Sequence, residues 1–295
     1  MKEISEEVLA RLEKAQRLFL QKKYQQSLKE YSRVEKHFQD DPESLAIIHL
    51  EMGWTYYAAG NYRGAVKYLK KAIGNAKLKE YPREYFDSLE MLSFSCEAIG
   101  DTTEAIRYFN EAIQVAVDEH LKMPLFFEVG KILFVQQKYL EAKSYLEKVI
   151  EFPNTSAEQM YRQTAIYYLG FIALFEKDYP TAIRFFNRYI EEAGEKKERA
   201  PGYFGLAHVY QARKEYPALL DTCKKIIHLD PDFFDKETLA YFLCIGYMEL
   251  QMWDELAIFL PELMANYPEG RYKDIYPIFE EALRERKRPG EKGKG

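Results

Sequence analysis

A short pattern returns seven times along this chain, and its spacing restricts the fold more than any other feature. Gly60-Asn61-Tyr62-Arg63-Gly64-Ala65-Val66-Lys67-Tyr68-Leu69 is followed by Gly100-Asp101-Thr102-Thr103-Glu104-Ala105-Ile106-Arg107-Tyr108-Phe109. The same grammar centres on Lys23-Tyr24, Lys138-Tyr139, Asp178-Tyr179, Glu215-Tyr216 and Met252-Trp253. Counted from Tyr24 through Tyr62, Thr102, Tyr139, Tyr179 and Tyr216 to Trp253, the steps are 38, 40, 37, 40, 37 and 37 residues. A period in this range belongs to solenoids, in which each unit buries its apolar face only by stacking on its neighbours.

Within each period, apolar residues fall three and four apart on both sides of a short polar turn, which predicts two antiparallel amphipathic helices. Gly53, Gly130, Gly170 and Ala207 occupy one side of the hairpin, and Ala65, Ala105, Ala142 and Ala182 the other. Small residues there let the two helices approach, where a bulky side chain would splay them. Pro42, Pro82, Pro124, Pro153, Pro201, Pro231 and Pro268 mark the junctions between hairpins, since proline cannot donate to a continuing helix. Pro180 and Pro217 sit instead at the start of second helices, where a missing N–H is harmless.

These positions resemble the tetratricopeptide repeat. The second unit carries Met52-Gly53, Tyr56, Ala65, Leu69 and Ala72; the fifth Leu169-Gly170, Ala182 and Phe186; the sixth Leu206-Ala207, Tyr210 and Pro231. The resemblance spans about residues 6–268 and implies an all-α fold: a right-handed α-solenoid, or superhelix, of about seven antiparallel helix-turn-helix repeats. On that reading residues 1–270 form the solenoid, 271–288 a C-terminal capping helix and 289–295 a flexible basic tail. The periods exceed the family's usual length of about 34 residues. Leu219 and Leu256 stand where the family prefers a small residue, and Pro261 falls inside the last second helix, where it should kink the chain near Ala257. The C-terminal end is therefore expected to be the least regular. Its apolar positions Ile275, Ile278, Phe279 and Leu283 would be covered either by capping the last repeat or by self-association with a neighbouring copy.

Composition narrows the function classes. A net charge of −5 lacks the basic footprint that nucleic-acid binding needs, and no partner of that kind is expected. Arg284, Arg286, Lys287, Arg288, Lys292 and Lys294 read as a solvated terminus. No run of 18 apolar residues predicts membrane insertion, and the acidic start Met1-Lys2-Glu3-Ile4-Ser5-Glu6-Glu7 is unlike a secretory leader, so a cytoplasmic location is expected. Cys96, Cys223 and Cys244 lie widely spaced in apolar helical stretches and read as buried thiols of a reducing compartment. Asn154-Thr155-Ser156 matches a glycosylation acceptor by chance. The sequence has no phosphate-cradling glycine loop, no nucleophile elbow and no metal-ligand spacing among His37, His49, His120, His208 and His228. No enzyme, cofactor or metal is expected.

The resemblance places first helices on the inner face, where a partner protein or peptide lies. The groove-facing positions are Glu51, Trp54 and Tyr57 in the second unit; Glu90, Phe94 and Glu97 in the third; Phe127, Lys131 and Phe134 in the fourth. The fifth contributes Tyr167, Tyr168 and Phe171, the sixth His208 and Gln211, and the seventh Tyr241 and Met248. The Lys, Asn and Arg set with which some members grip a C-terminal carboxylate is missing. An aromatic, mildly acidic strip stands in its place, suited to a partner with apolar anchors and basic neighbours. Two readings of these rings remain open: contact surface, or packing between repeats. Trp54 is the strongest contact candidate. The function expected is a scaffold or adaptor that supports a multiprotein complex. The alternative is a regulator like bacterial peptide sensors but without a DNA-binding domain, since repeats begin by about residue 8.

Overall fold

The structure is a computed structural model and describes residues 5–153 and 159–286; the Asn154-Thr155-Ser156 acceptor and the tail at 289–295 lie outside the described residues. Among the described residues are fifteen α-helices and no strand. They form two compact units, Met1–Phe152 and Pro153–Gly295. Unit 1 holds four hairpins: α1 (Glu6–Leu20) with α2 (Tyr24–His37), α3 (Pro42–Ala58) with α4 (Tyr62–Ile73), α5 (Pro82–Ala98) with α6 (Thr102–Val115), and α7 (Lys122–Val135) with α8 (Tyr139–Glu151). Unit 2 holds three: α9 (Gln159–Phe175) with α10 (Tyr179–Glu192), α11 (Ala200–Arg213) with α12 (Tyr216–Leu229), and α13 (Lys236–Glu249) with α14 (Trp253–Asn266). A last helix, α15 (Tyr276–Glu285), follows.

All seven hairpin turns are built alike. The residue two before each repeat marker takes a left-handed conformation: Lys22, Gly60, Gly100, Gln137, Lys177, Lys214 and Gln251, with φ between 57° and 82°. The following N–H returns to the carbonyl five residues back, as in Asn61 to Tyr56 and Asp178 to Ala173, and satisfies the frayed carbonyls of the first helix. Asn61, Asp101 and Asp178 then cap the second helix by accepting from the N–H of Gly64, Glu104 and Thr181. Glycine fills two of these seven turns; the other five place a Lys or Gln in a conformation that L-residues populate reluctantly.

The hairpins close on paired columns of complementary size. Nine residues before each marker stand Ala15, Gly53, Ser93, Gly130, Gly170, Ala207 and Cys244, all buried. Seven after it stand Tyr31, Leu69, Phe109, Leu146, Phe186, Cys223 and Leu260, also buried. A Cβ added to Gly53 would meet Leu69 at 2.6 Å, one on Gly130 would meet Leu146 at 2.8 Å, and one on Gly170 would meet the Phe186 ring at 2.6 Å. In the first hairpin Ser27 takes the place of the alanine, and its hydroxyl donates to the Ala15 carbonyl at 2.8 Å. Leu219, the departure from the small-residue pattern in the sixth hairpin, is fully buried and is matched one turn later by Cys223, the smallest of the large-residue column. The seventh hairpin has Leu256 without such relief, followed by Leu260, and its helices pack least extensively of the seven.

The helix α14 runs continuously through Pro261. Both Pro261 and Ala257 face solvent, so water satisfies the carbonyl that the proline cannot serve. The helix α15 packs on α13 and α14 and buries Tyr276, Phe279 and Ala282 in the C-terminal core of unit 2, with Ile275 and Leu283 against it. Of the four apolar positions expected there, Ile278 alone is exposed, at 44%. The three cysteines are free and buried, and burial pushes the thiols of Cys96, Cys223 and Cys244 up to about 11, 12 and 12. Such thiols are inert at neutral pH.

Candidate functional site

Within each unit the first helices of adjacent hairpins touch, α3 with α5 and α9 with α11, while no two second helices pack to that extent. Side chains of these first helices therefore lie beside one another in each unit.

On unit 1, Glu51, Trp54 and Tyr57 of α3 share one face at helical spacing, as do Glu90, Phe94 and Glu97 of α5. Trp54 is 41% exposed, an unusual state for so large a ring. Glu51 accepts from the buried hydroxyl of Tyr31 at 2.9 Å. Tyr57 is half-buried with its ring edge-on to Tyr62 at 5.6 Å; its hydroxyl pKa is raised by burial and then by Tyr62, Glu90 and Glu97. Phe94 sits edge-on to Phe109 at 5.1 Å and Phe134 to Tyr139 at 5.7 Å, both half-buried, whereas Phe127 is only 8% exposed and belongs to the core. Lys131 joins two carboxylates, Glu97 at 3.2 Å and Glu128. Burial lowers the Lys131 pKa, but these two partners outweigh it and raise the ammonium overall.

Next to this face lies a cavity of about 270 Å³ that sequence reasoning missed. Leu12 and Gln16 of α1 face Ile47, Ile48 and Glu51 of α3 across it, with Tyr31 and Phe38 below. Ile47, four residues before Glu51, was the one available signal, since it continues the inner stripe of α3 by one turn.

On unit 2 the rings pack mainly on one another. Tyr167 meets Phe171 at 4.9 Å, Tyr189 at 5.7 Å and Phe186 at 6.1 Å, and Tyr168 lies edge-on to it at 6.5 Å. His208 is enclosed by Phe204 at 4.7 Å, Phe242 at 4.9 Å and Phe171 at 5.5 Å. Burial pulls the imidazole down to about 4, Asp235 opposing and Arg271 adding slightly. Tyr241 stacks on Tyr272 at 4.0 Å, Gln211 is half-buried and Met248 is only 5% exposed. Unit 2 thus commits most of these rings to packing within and between its hairpins, and unit 1 leaves Trp54 open.

Among the described residues no group of three His, Cys, Asp or Glu side chains gathers as a metal site would, and no helix is long and apolar enough to cross a membrane. A sequence profile of the tetratricopeptide repeat matches residues 49–76, the α3–α4 hairpin that carries Trp54. No curated protein matches the sequence. Solved structures do. The C-terminal part of a tetratricopeptide repeat-containing protein from Cytophaga hutchinsonii is 15% identical, with 90% of this chain and 98% of that one covered at a TM-score of 0.68. The apo form of RapI is 13% identical over 94% of this chain and 81% of its own, at 0.67. YrrB, described as a tetratricopeptide protein with an unusual peptide-binding site, is 17% identical over 67% and 92%, at 0.52. At such identities the likeness speaks for the fold. With one repeat matched by sequence and the same hairpin returning on both sides of it, the chain has the fold of a tetratricopeptide-repeat solenoid.

Proposed function

We propose that this protein is a non-catalytic interaction scaffold that holds a partner protein or peptide segment along the first-helix face of unit 1 and so supports assembly of a larger complex. The observation that carries this reading is Trp54, 41% exposed on a helix whose other large apolar side chains are buried or half-buried. Tryptophan at the centre of a partly desolvated face is the residue type that dominates interface energies. Phe94 and Phe134 extend an apolar surface along α5 and α7, and the flanking carboxylates favour a partner with basic character. The aromatic clusters of unit 2 are assigned to packing within and between its hairpins.

The experiment is affinity capture from native extract with wild-type protein beside Trp54→Ala and Trp54→Ala/Phe94→Ala, folding being checked by thermal melting. A photo-crosslinking amino acid at position 91, on the rim of α5, identifies what lies on the face. A partner crosslinked from that position and lost with Trp54→Ala supports the reading. Equal retention by all three folded proteins sinks it.

A further inference from the structure

The cavity and the exposed tryptophan of unit 1 lie on one stripe of α3. Ile47 and Glu51 line the cavity and Trp54 follows one turn later. At 1.5 Å per residue, Ile47 and Trp54 are about 10 Å apart along the axis, the length of about three residues of extended peptide. The cavity is lined mainly by apolar surface from Leu12, Ile47, Ile48 and the Tyr31, Phe38 and Tyr81 rings, with Gln16, Glu43, Ser44 and Glu51 as its polar side chains.

The charges near Tyr57, which follows Trp54 on α3 by three residues, do not balance. Glu97 and Glu128 share the single cation Lys131. Asp87 is paired with Arg83 at 3.0 Å. Glu51 is held by a neutral phenol rather than by a cation. Glu90 is half-buried and makes no hydrogen bond or ion pair of its own among the described residues; burial, then Asp87, raises its pKa, with Arg83, itself paired to Asp87, opposing. A half-desolvated carboxylate without a partner is costly, and a cation that reaches it removes that cost. The same cation gains from a neighbouring indole or phenol face. An acidic occupant would be repelled, and a wholly apolar one would desolvate Glu90 further.

We infer that unit 1 grips its partner segment at two points: an apolar side chain in the cavity between Leu12 and Ile47, and an arginine or lysine side chain between the Trp54 and Tyr57 rings and the Glu90 carboxylate, about three residues away. This rests on the groove reading above and adds the chemistry of the occupant. The occupant is a peptide segment in extended form, since its two anchors lie along the axis of α3.

The test uses random dodecapeptides displayed on phage and selected against the full-length protein. Selected peptides are expected to share a basic residue with a large apolar residue about three positions away. For one such peptide, replacing its basic residue by citrulline or norleucine is expected to weaken binding about tenfold to wild type. The same replacement should have little further effect on Glu90→Gln, whose own affinity is already down by a similar factor. Leu12→Trp, which fills the cavity, should weaken the apolar anchor without altering the response to citrulline. Peptides enriched without a basic residue but lost with Trp54→Ala would overturn this inference and leave the groove reading standing. Additive effects of citrulline and Glu90→Gln would overturn the pairing, and a selection that enriches no peptide would overturn both readings.

Discussion

His208 gives the most direct test of the packing described for unit 2. Three phenylalanine rings surround it, and its pKa falls from the usual 6.5 to about 4. In the unfolded chain the imidazole takes up a proton as pH drops through about 6.5, while in the folded chain it does so only near 4. The unfolded state therefore binds more protons between these values, and stability falls as pH is lowered across that window. Below about 4 both states are protonated and the penalty stays constant. Linkage with these two values gives a loss of roughly 2 kcal/mol between pH 7 and pH 5 and about 3 kcal/mol by pH 4. His208→Phe keeps the ring and removes the titration. Urea unfolding at pH 7 and pH 5 is followed through Trp253, which packs on the unit 2 core, in a Trp54→Phe background that leaves it the sole indole. Carboxylates titrate in the same range, so the quantity read is the stability difference between the parent protein and its His208→Phe variant at each pH. That difference is expected to shift by roughly 2 kcal/mol in favour of the variant at pH 5. A difference unchanged between the two pH values would show that the imidazole is protonated within the fold and would refute the aromatic enclosure.

Three further outcomes follow from the repeat geometry. Gly170→Ala puts a Cβ 2.6 Å from the buried Phe186 ring and should destabilise unit 2 by about 2 kcal/mol in urea titration, while Gly170→Ala/Phe186→Leu should recover most of that loss. Lys177→Gly relieves a left-handed residue at φ 62° and should gain up to about 1 kcal/mol, whereas Gly100→Ala at φ 82° should lose about 1 kcal/mol; the reverse signs in the same titration would mean the turns are not built as described. Leu219→Ala should cost about 3 kcal/mol by opening a cavity, and adding Cys223→Leu one turn away should restore at least half, because the two columns share one volume.

Much of this architecture was legible in the chain because a hairpin is a local object. Its two helices are joined by one short turn, so the small residue at Gly53 and the bulky Leu69 it accommodates are only sixteen residues apart, and their recurrence with period 37 to 40 exposes the fold. The prolines, the buried cysteines and the polar turns follow from rules acting over a few residues. Other decisions were tertiary. Helical phase placed Trp54, Phe127, Tyr167 and Met248 on comparable faces, but only contact with the adjacent hairpin left the first 41% exposed and buried Phe127 and Met248 to 8% and 5%. Whether Leu219 would disrupt its hairpin depended on Cys223 giving way one turn later. The cavity beside α3 joins Leu12 to Ile47 across thirty-five residues, and Glu90 lacks a cation because Arg83 and Lys131 are committed to other carboxylates. Exposure, cavities and unpaired charge are properties of what packs beside a side chain, so the sequence determines the repeating frame by itself, and tertiary packing decides which of its side chains remain available to a partner.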